Sequence, residues 1–122
     1  MFIKENVNPK RKTSDCVIRA IAKVFNKDWI VVFDELVAIA RRKFTIPSDK
    51  IVYEEYLKNY TTINVKTEDE GCRKRLTVAD VCCMRGAYIV SIANHMTVVI
   101  DGNIYDLWDC SNSSAYKIWK IK

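Results

Sequence analysis

The chain has 122 residues, a length that suits one ordinary domain. Hydrophobic residues make up 49% and charged residues 29%, with only 3 Gly and 2 Pro, so a packed core is expected and the disordered and low-complexity classes are excluded. The formal charge is +5, with basic clusters at Lys10-Arg11-Lys12, Arg41-Arg42-Lys43 and Arg73-Lys74-Arg75.

No apolar run approaches the ~20 residues of a membrane-spanning helix. The opening stretch MFIKENVNPKRK is polar and basic from its fourth residue and lacks the apolar segment of a secretion signal, so a cytoplasmic location is expected. Five cysteines, an odd number in a chain without an export signal, argue against a disulfide framework. Adjacent Cys82-Cys83 lacks the spacing of a metal-ligand pair, and there is a single histidine, so no metal and no cofactor is expected.

The elements run helices first. Thr13 or Ser14 is expected to cap a first helix by accepting a backbone N–H bond. Val17, Ile21 and Val24 follow at helical spacing, with Ile18, Ala22 and Phe25 as a second stripe, so this helix should be central and buried on a wide arc. Asn26-Lys27-Asp28 breaks the pattern, and Asp28 is placed to cap a second helix. That helix carries Trp29, Phe33, Leu36 and Ala40 and ends near Lys43, where Arg41 to Lys43 complement the helix dipole. Pro47-Ser48 is expected to start a third, shorter helix with Val52, Tyr53, Tyr56, Leu57 and Tyr60 on its buried side.

TTINV, residues 61–65, is short and β-branched and reads as a strand. KTEDEGCRKR, residues 66–75, reads as a charged loop. TVAD, residues 77–80, is a capping-box pattern opening a short helix, with Gly86 as its expected stop. Beyond Gly86 the apolar period changes to two. Residues 87–93, 95–100, 103–108 and 115–121 read as strands, and Asp101-Gly102 is a tight-hairpin signal. The expected fold class is α+β, with N-terminal helices packed on a C-terminal antiparallel β-sheet in one domain over residues 1–122.

A hairpin turning at Asp101-Gly102 pairs Ile100 with Asn103, so that paired positions sum to 203. His95 then lies across from Trp108, and Asp106 lies across from Thr97, on the histidine's face and diagonal to it. A carboxylate on one imidazole nitrogen fixes the tautomer and stabilises the cation, as a base beside a thiol requires. Cys16, on the first turn of the central helix, is placed where oriented N–H groups lower a thiol pKa. The candidate catalytic residues are therefore Cys16, His95 and Asp106, with Asp109 as the alternative acid. Cys72, Cys82, Cys83 and Cys110 read as buried, inert thiols. Asp15 reads as a helix N-terminal charge, and Trp108 and Trp119 as core or rim of the sheet.

A cysteine opening a helix (SDC followed by VIRAIA), a histidine opening a late strand and an acid on the next strand (NHMTVVIDGNIYDLWD) give a layout that resembles the papain-like-fold cysteine peptidases. The similarity is to their compact bacterial and phage members, relatives of the bacteriocin-leader peptidases, and covers roughly residues 8 to 110 through topology and three short stretches. It implies thiol-mediated amide hydrolysis or acyl transfer on a peptide or protein substrate, with Cys16 as nucleophile, His95 as base and Asp106 as orienting acid. The family usually carries a glutamine about six residues before the cysteine to build the oxyanion hole. Lys10 stands there, leaving Asn8 as the nearest side-chain amide or backbone N–H groups acting alone. Val17 replaces the usual small residue after the cysteine.

Two other function classes remain open at this point. The basic clusters suit a non-enzymatic phage or bacterial protein that binds a host factor on the same scaffold. Nucleic-acid binding ranks last, because no aromatic residues interleave the basic runs as stacking platforms.

Overall fold

In the computed structural model, residues 1–69 and 72–122 are described, with the side chains of residues 68, 69, 72 and 73 outside the description. The chain opens with a three-residue strand, β1 (Phe2–Lys4), that the sequence pattern does not announce. The two-stripe apolar segment is α1 (Cys16–Phe25), buried at Val17, Ile18, Arg19, Ala20, Ile21, Ala22 and Val24. Neither Thr13 nor Ser14 caps it. Asp15 is the N-cap residue, and its side chain makes no capping bond because its carboxylate is engaged elsewhere.

The second helix, α2 (Trp29–Lys43), starts after Asp28 and closes with the three basic residues in its last turn. The third, α3 (Lys50–Tyr56), begins later than Pro47-Ser48 suggests. Asp49 caps it by accepting the Ile51 N–H, and Pro47-Ser48 form the turn before it, closed by the Asp49 N–H on the Ile46 carbonyl at 3.1 Å. Val52 and Leu57 are fully buried below it, while Tyr53, Tyr56 and Tyr60 are half-buried around them.

Strand β2 (Thr61–Ile63) falls where the β-branched run does. The charged segment after it is not a loop. It forms a two-stranded antiparallel hairpin, β3 (Lys66–Asp69) and β4 (Cys72–Arg75), with Lys66 opposite Arg75 and Thr67 opposite Lys74. The hairpin is a separate two-stranded sheet of mostly charged sequence without apolar alternation, so periodicity does not reveal it.

Helix α4 (Val78–Val81) carries the expected capping box, with Thr77 and Asp80 bonded reciprocally. It ends at Cys82, not at Gly86. Gly86 instead opens the next strand at φ +106°, where an added Cβ would meet the Lys122 carbonyl oxygen at 2.3 Å. Gly86→Ala is therefore expected to cost about 1–3 kcal/mol, read as a lower urea midpoint at unchanged slope.

The remaining strands are β5 (Ala87–Ile92), β6 (His95–Ile100), β7 (Asn103–Asp106) and β8 (Lys117–Lys120). They form one six-stranded, mostly antiparallel sheet in the order β1-β7-β6-β5-β8-β2, in which β1 alone runs parallel to its neighbour. The β6–β7 hairpin has the expected register, with Ile100 opposite Asn103 and Val99 opposite Ile104. Asp101 and Gly102 both take positive φ, +48° and +83°, as a primed turn demands. Strand β7 stops at Asp106 because that residue's own carboxylate takes the Leu107 N–H at 2.7 Å.

Both faces of the sheet are covered. Helices α1, α2 and α3 bury Ile89, Met96, Val98 and Trp119 on one side. Helix α4 and the segment around Cys110 and Ala115 bury Val90, Ile92, Val99, Ile104 and Ile118 on the other. The fold is thus α+β with the helices ahead of most of the sheet. Among the four cysteines read as buried, Cys110 is buried, Cys82 is half-buried and Cys83 is exposed, since the turn after α4 faces outward; the Cys72 side chain lies outside the described residues. Trp119 is 2% exposed, whereas Trp108 is 47% exposed and belongs to the rim. Among the described residues no helix is long and apolar enough to cross a membrane.

Candidate active site

Three elements meet at one end of the sheet. Helix α1 brings Cys16 at its first position, β6 brings His95 at its first position, and β7 brings Asp106 at its last. The hairpin register puts the acid diagonal to the histidine, and the side chains join there: His95 Nε2–H donates to Asp106 Oδ2 at 2.7 Å. Nε2 being so engaged, Nδ1 is the ring nitrogen left for the thiol. The His95 ring and the Met96 backbone both lie near enough to Cys16 to favour its ionisation. Trp108, which follows Asp106 by two residues, leans on the imidazole with ring centroids 4.9 Å apart and shields the His–Asp bond on that side.

The charges follow from these contacts. Burial alone pushes the Cys16 thiol up. The His95 ring and the Met96 backbone N–H beside it, with the positive charges of His95 and Arg19, more than offset it, so the thiol sits below its ordinary value. For His95 burial disfavours the cation, but the bonds to Asp106 and Cys16 outweigh it and raise the ring to about 9. Burial likewise opposes ionisation of Asp106, and the hydrogen bond from His95 holds it below the usual carboxylate range. The contacts at the site thus favour the charged form of each member, thiolate, imidazolium and carboxylate.

Behind the acid stands a residue that the sequence reading passed over. Arg19 Nη1 donates to Asp106 Oδ1 at 3.1 Å, and Arg19 Nε donates to Asp15 Oδ1 at 2.6 Å. Asp15 in turn accepts from Asn8 Nδ2 at 3.0 Å and from Trp29 Nε1 at 2.9 Å. Asp15, Arg19 and Asp106 are all buried. Five charges therefore alternate in sign along Asp15, Arg19, Asp106, His95 and Cys16, which is how a buried carboxylate–guanidinium set is tolerated. Asp15 is more than a helix-end charge: it neutralises the arginine that orients the acid. The signal was present as an acid and an arginine four residues apart at the start of a helix whose other residues up to Ala22 are all apolar.

The other candidates are not brought to the thiol. Asn8 spends its amide nitrogen on Asp15 and its oxygen on the Lys10 and Arg11 N–H groups, and it lines a different cavity. Asp109 is exposed and accepts the Ser111 N–H, so the alternative acid plays no part. Donor atoms of His95, Asp106 and Cys110 lie within 4.8 Å of one another, the one such grouping among the described residues. A dication there would face the Arg19 guanidinium across Asp106, and His95 Nε2 and Asp106 Oδ2 are already bonded to each other at 2.7 Å. These atoms fit a hydrogen-bonded triad better than a metal centre.

Cys16 and His95 open onto a cleft of about 490 Å³, floored by Tyr53 and Trp119 and flanked by Lys50 and Lys117. Asp15 makes no side-chain cap, so the first-turn N–H groups of α1, whose Cys16 and Val17 line the cleft, are free of that competitor. No family model, no curated protein and no solved structure matches the chain.

Proposed function

We propose that the chain is a small cysteine hydrolase, of peptidase or acyl-transfer type, on a papain-like scaffold. The observation that carries the reading is the run Cys16–His95–Asp106, in which a helix-start thiol pushed below its ordinary pKa faces an imidazole raised to about 9 by a buried carboxylate. Perturbed groups of opposite sense at a cleft are what acid–base and nucleophilic catalysis require.

In this reading the Cys16 thiolate attacks a substrate carbonyl carbon. The backbone N–H groups of Cys16 and the first turn of α1 stabilise the oxyanion, in place of the family's glutamine. The tetrahedral adduct collapses as the His95 imidazolium gives its proton to the leaving amine, alcohol or thiol. His95, now neutral, takes a proton from water, and the resulting hydroxide attacks the thioester and returns Cys16. Asp106, steadied by Arg19, keeps the ring in place and stabilises its charged form.

Incubation with an activated acetate ester tests this. An acetyl group detected on Cys16 by mass spectrometry, decaying to free thiol, is the expected result. Acetylation spread over all thiols, or an adduct on Cys16 that never turns over, contradicts it. The pH dependence follows from the same values. Hydrolysis falls on the acid side as the thiolate is protonated, below the ordinary thiol range. It falls on the alkaline side near pH 9 as His95 loses the proton meant for the leaving group. Alkylation of Cys16, which needs no leaving-group proton, keeps the acid limb and lacks the alkaline one.

A further inference from the structure

We infer that the cleft in front of Cys16 selects acyl substrates carrying a carboxylate two or three residues from the reacting carbonyl, that is, acidic peptides. The inference rests on the hydrolase reading for what the cleft does, and on the cleft's own charge for what it holds.

Among the described residues no carboxylate lines the cleft. Its charged side chains are Lys50 and Lys117, together with the Cys16–His95 pair, whose opposite charges offset each other. Lys117 arrives there through the sheet register: it lies opposite Ser91 of β5, and Ser91 lies opposite Met96 of β6, whose backbone meets the Cys16 sulfur. Lys117 is therefore two strand spacings from the thiol's row, about 10 Å. An extended substrate advances about 3.4 Å per residue, which puts a carboxylate at Lys117 two or three residues from the bond under attack.

Each lysine is available. Among the described residues no ion pair engages Lys50, which is exposed at the start of α3. Lys117 Nζ meets Glu54 Oε2 at 2.6 Å, but the two side chains are 38% and 34% exposed. An ion pair so open to water adds little, and a substrate carboxylate can take Glu54's place. The ammonium also sits 5.1 Å from the Trp119 ring, which steers it along the cleft wall. The floor below, where half-buried Tyr53 packs edge-on against buried Trp119 at 5.9 Å, offers the Tyr53 ring to the chain that carries the charge. Two cations over a low-dielectric floor focus their field into the cleft.

Two alkylating reagents of nearly equal size test the charge without any turnover. Iodoacetate carries a carboxylate and iodoacetamide does not, and both attack the same sulfur, so their rate ratio at Cys16 cancels the thiolate fraction. Normalised to the ratio for 2-mercaptoethanol, the Cys16 ratio is expected to favour iodoacetate by about tenfold at low salt and to fall as salt rises. Lys50→Glu and Lys117→Gln are each expected to lower it by about threefold. A normalised ratio at or below one, or one that neither substitution moves, overturns the inference. The absolute iodoacetamide rate reports the activated thiol separately, so a slow rate with a high ratio removes the hydrolase reading and leaves the cationic cleft standing. Binding closes the test. Cys16→Ala protein is expected to hold a fluorescein-labelled hexapeptide containing Glu about fivefold more tightly than its Gln counterpart, and equal affinities contradict the acidic-peptide class.

Discussion

His95→Ala is expected to collapse the reactivity of Cys16. In the native site burial is the largest influence on the thiol and acts against ionisation; the imidazole is the main force opposing it. Without the ring, burial is countered only by the Met96 backbone and the charge on Arg19, and the pKa is expected to rise. The thiolate fraction at pH 7 then drops, and alkylation by iodoacetamide falls by about tenfold or more, the lower nucleophilicity of a stabilised thiolate moderating the change. Any hydrolysis falls further, by about 10²–10⁴, because the general base and the proton donor go together. Selective labelling of Cys16 over Cys82, Cys83 and Cys110 in the parent protein, lost in the variant, is the pattern to look for. Equal labelling of all the thiols in both proteins contradicts the account.

Arg19→Met is expected to be the most destabilising single change near the site. The guanidinium is shared between two buried carboxylates, Asp15 at 2.6 Å and Asp106 at 3.1 Å, with side-chain exposures of 3% and 1%. Removing the cation leaves two buried anions facing each other, a loss of about 3–5 kcal/mol for a broken buried pair. Urea unfolding reads this as a lower midpoint. Pairing it with Asp15→Asn, which removes one of the orphaned charges, is expected to recover part of the loss, and the shortfall from additivity measures the coupling. Independent, additive losses would mean that the three residues do not act as one network. In Arg19→Lys, which keeps the charge but not the fork, the alkaline limb of hydrolysis is expected to move while the fold persists, since Asp106 is then held less firmly against His95.

Much of this site was legible in the sequence because it hangs on a hairpin. Asp101-Gly102 fixes the turn, the turn fixes the register, and the register carries Asp106 to the histidine's side. The Thr77–Asp80 capping box was legible for the same reason: both partners are local. What stayed hidden depends on partners far apart in the chain. Strand β1 exists because Phe2, Ile3 and Lys4 run alongside Ile104, Tyr105 and Asp106, about a hundred residues on. Nothing in three residues foretells that. The β3–β4 hairpin was hidden because no apolar alternation marks it. Arg19 was missed because a basic residue within an apolar helix reads as a break in the stripe, whereas its fork is filled from opposite ends of the chain. Asn8 was assigned to the oxyanion hole by proximity in sequence, and the demand of Asp15 for donors draws it away.

The central claim is that Cys16 exists as a thiolate paired with a protonated His95 at neutral pH. Its most direct test is the ultraviolet thiolate absorbance of the protein minus that of Cys16→Ser, followed across pH. The account predicts a signal already present at pH 7 that disappears on acidification in a single step below the ordinary thiol range. A difference spectrum that stays flat at pH 7 and rises only in the alkaline range of a free or buried thiol would contradict it.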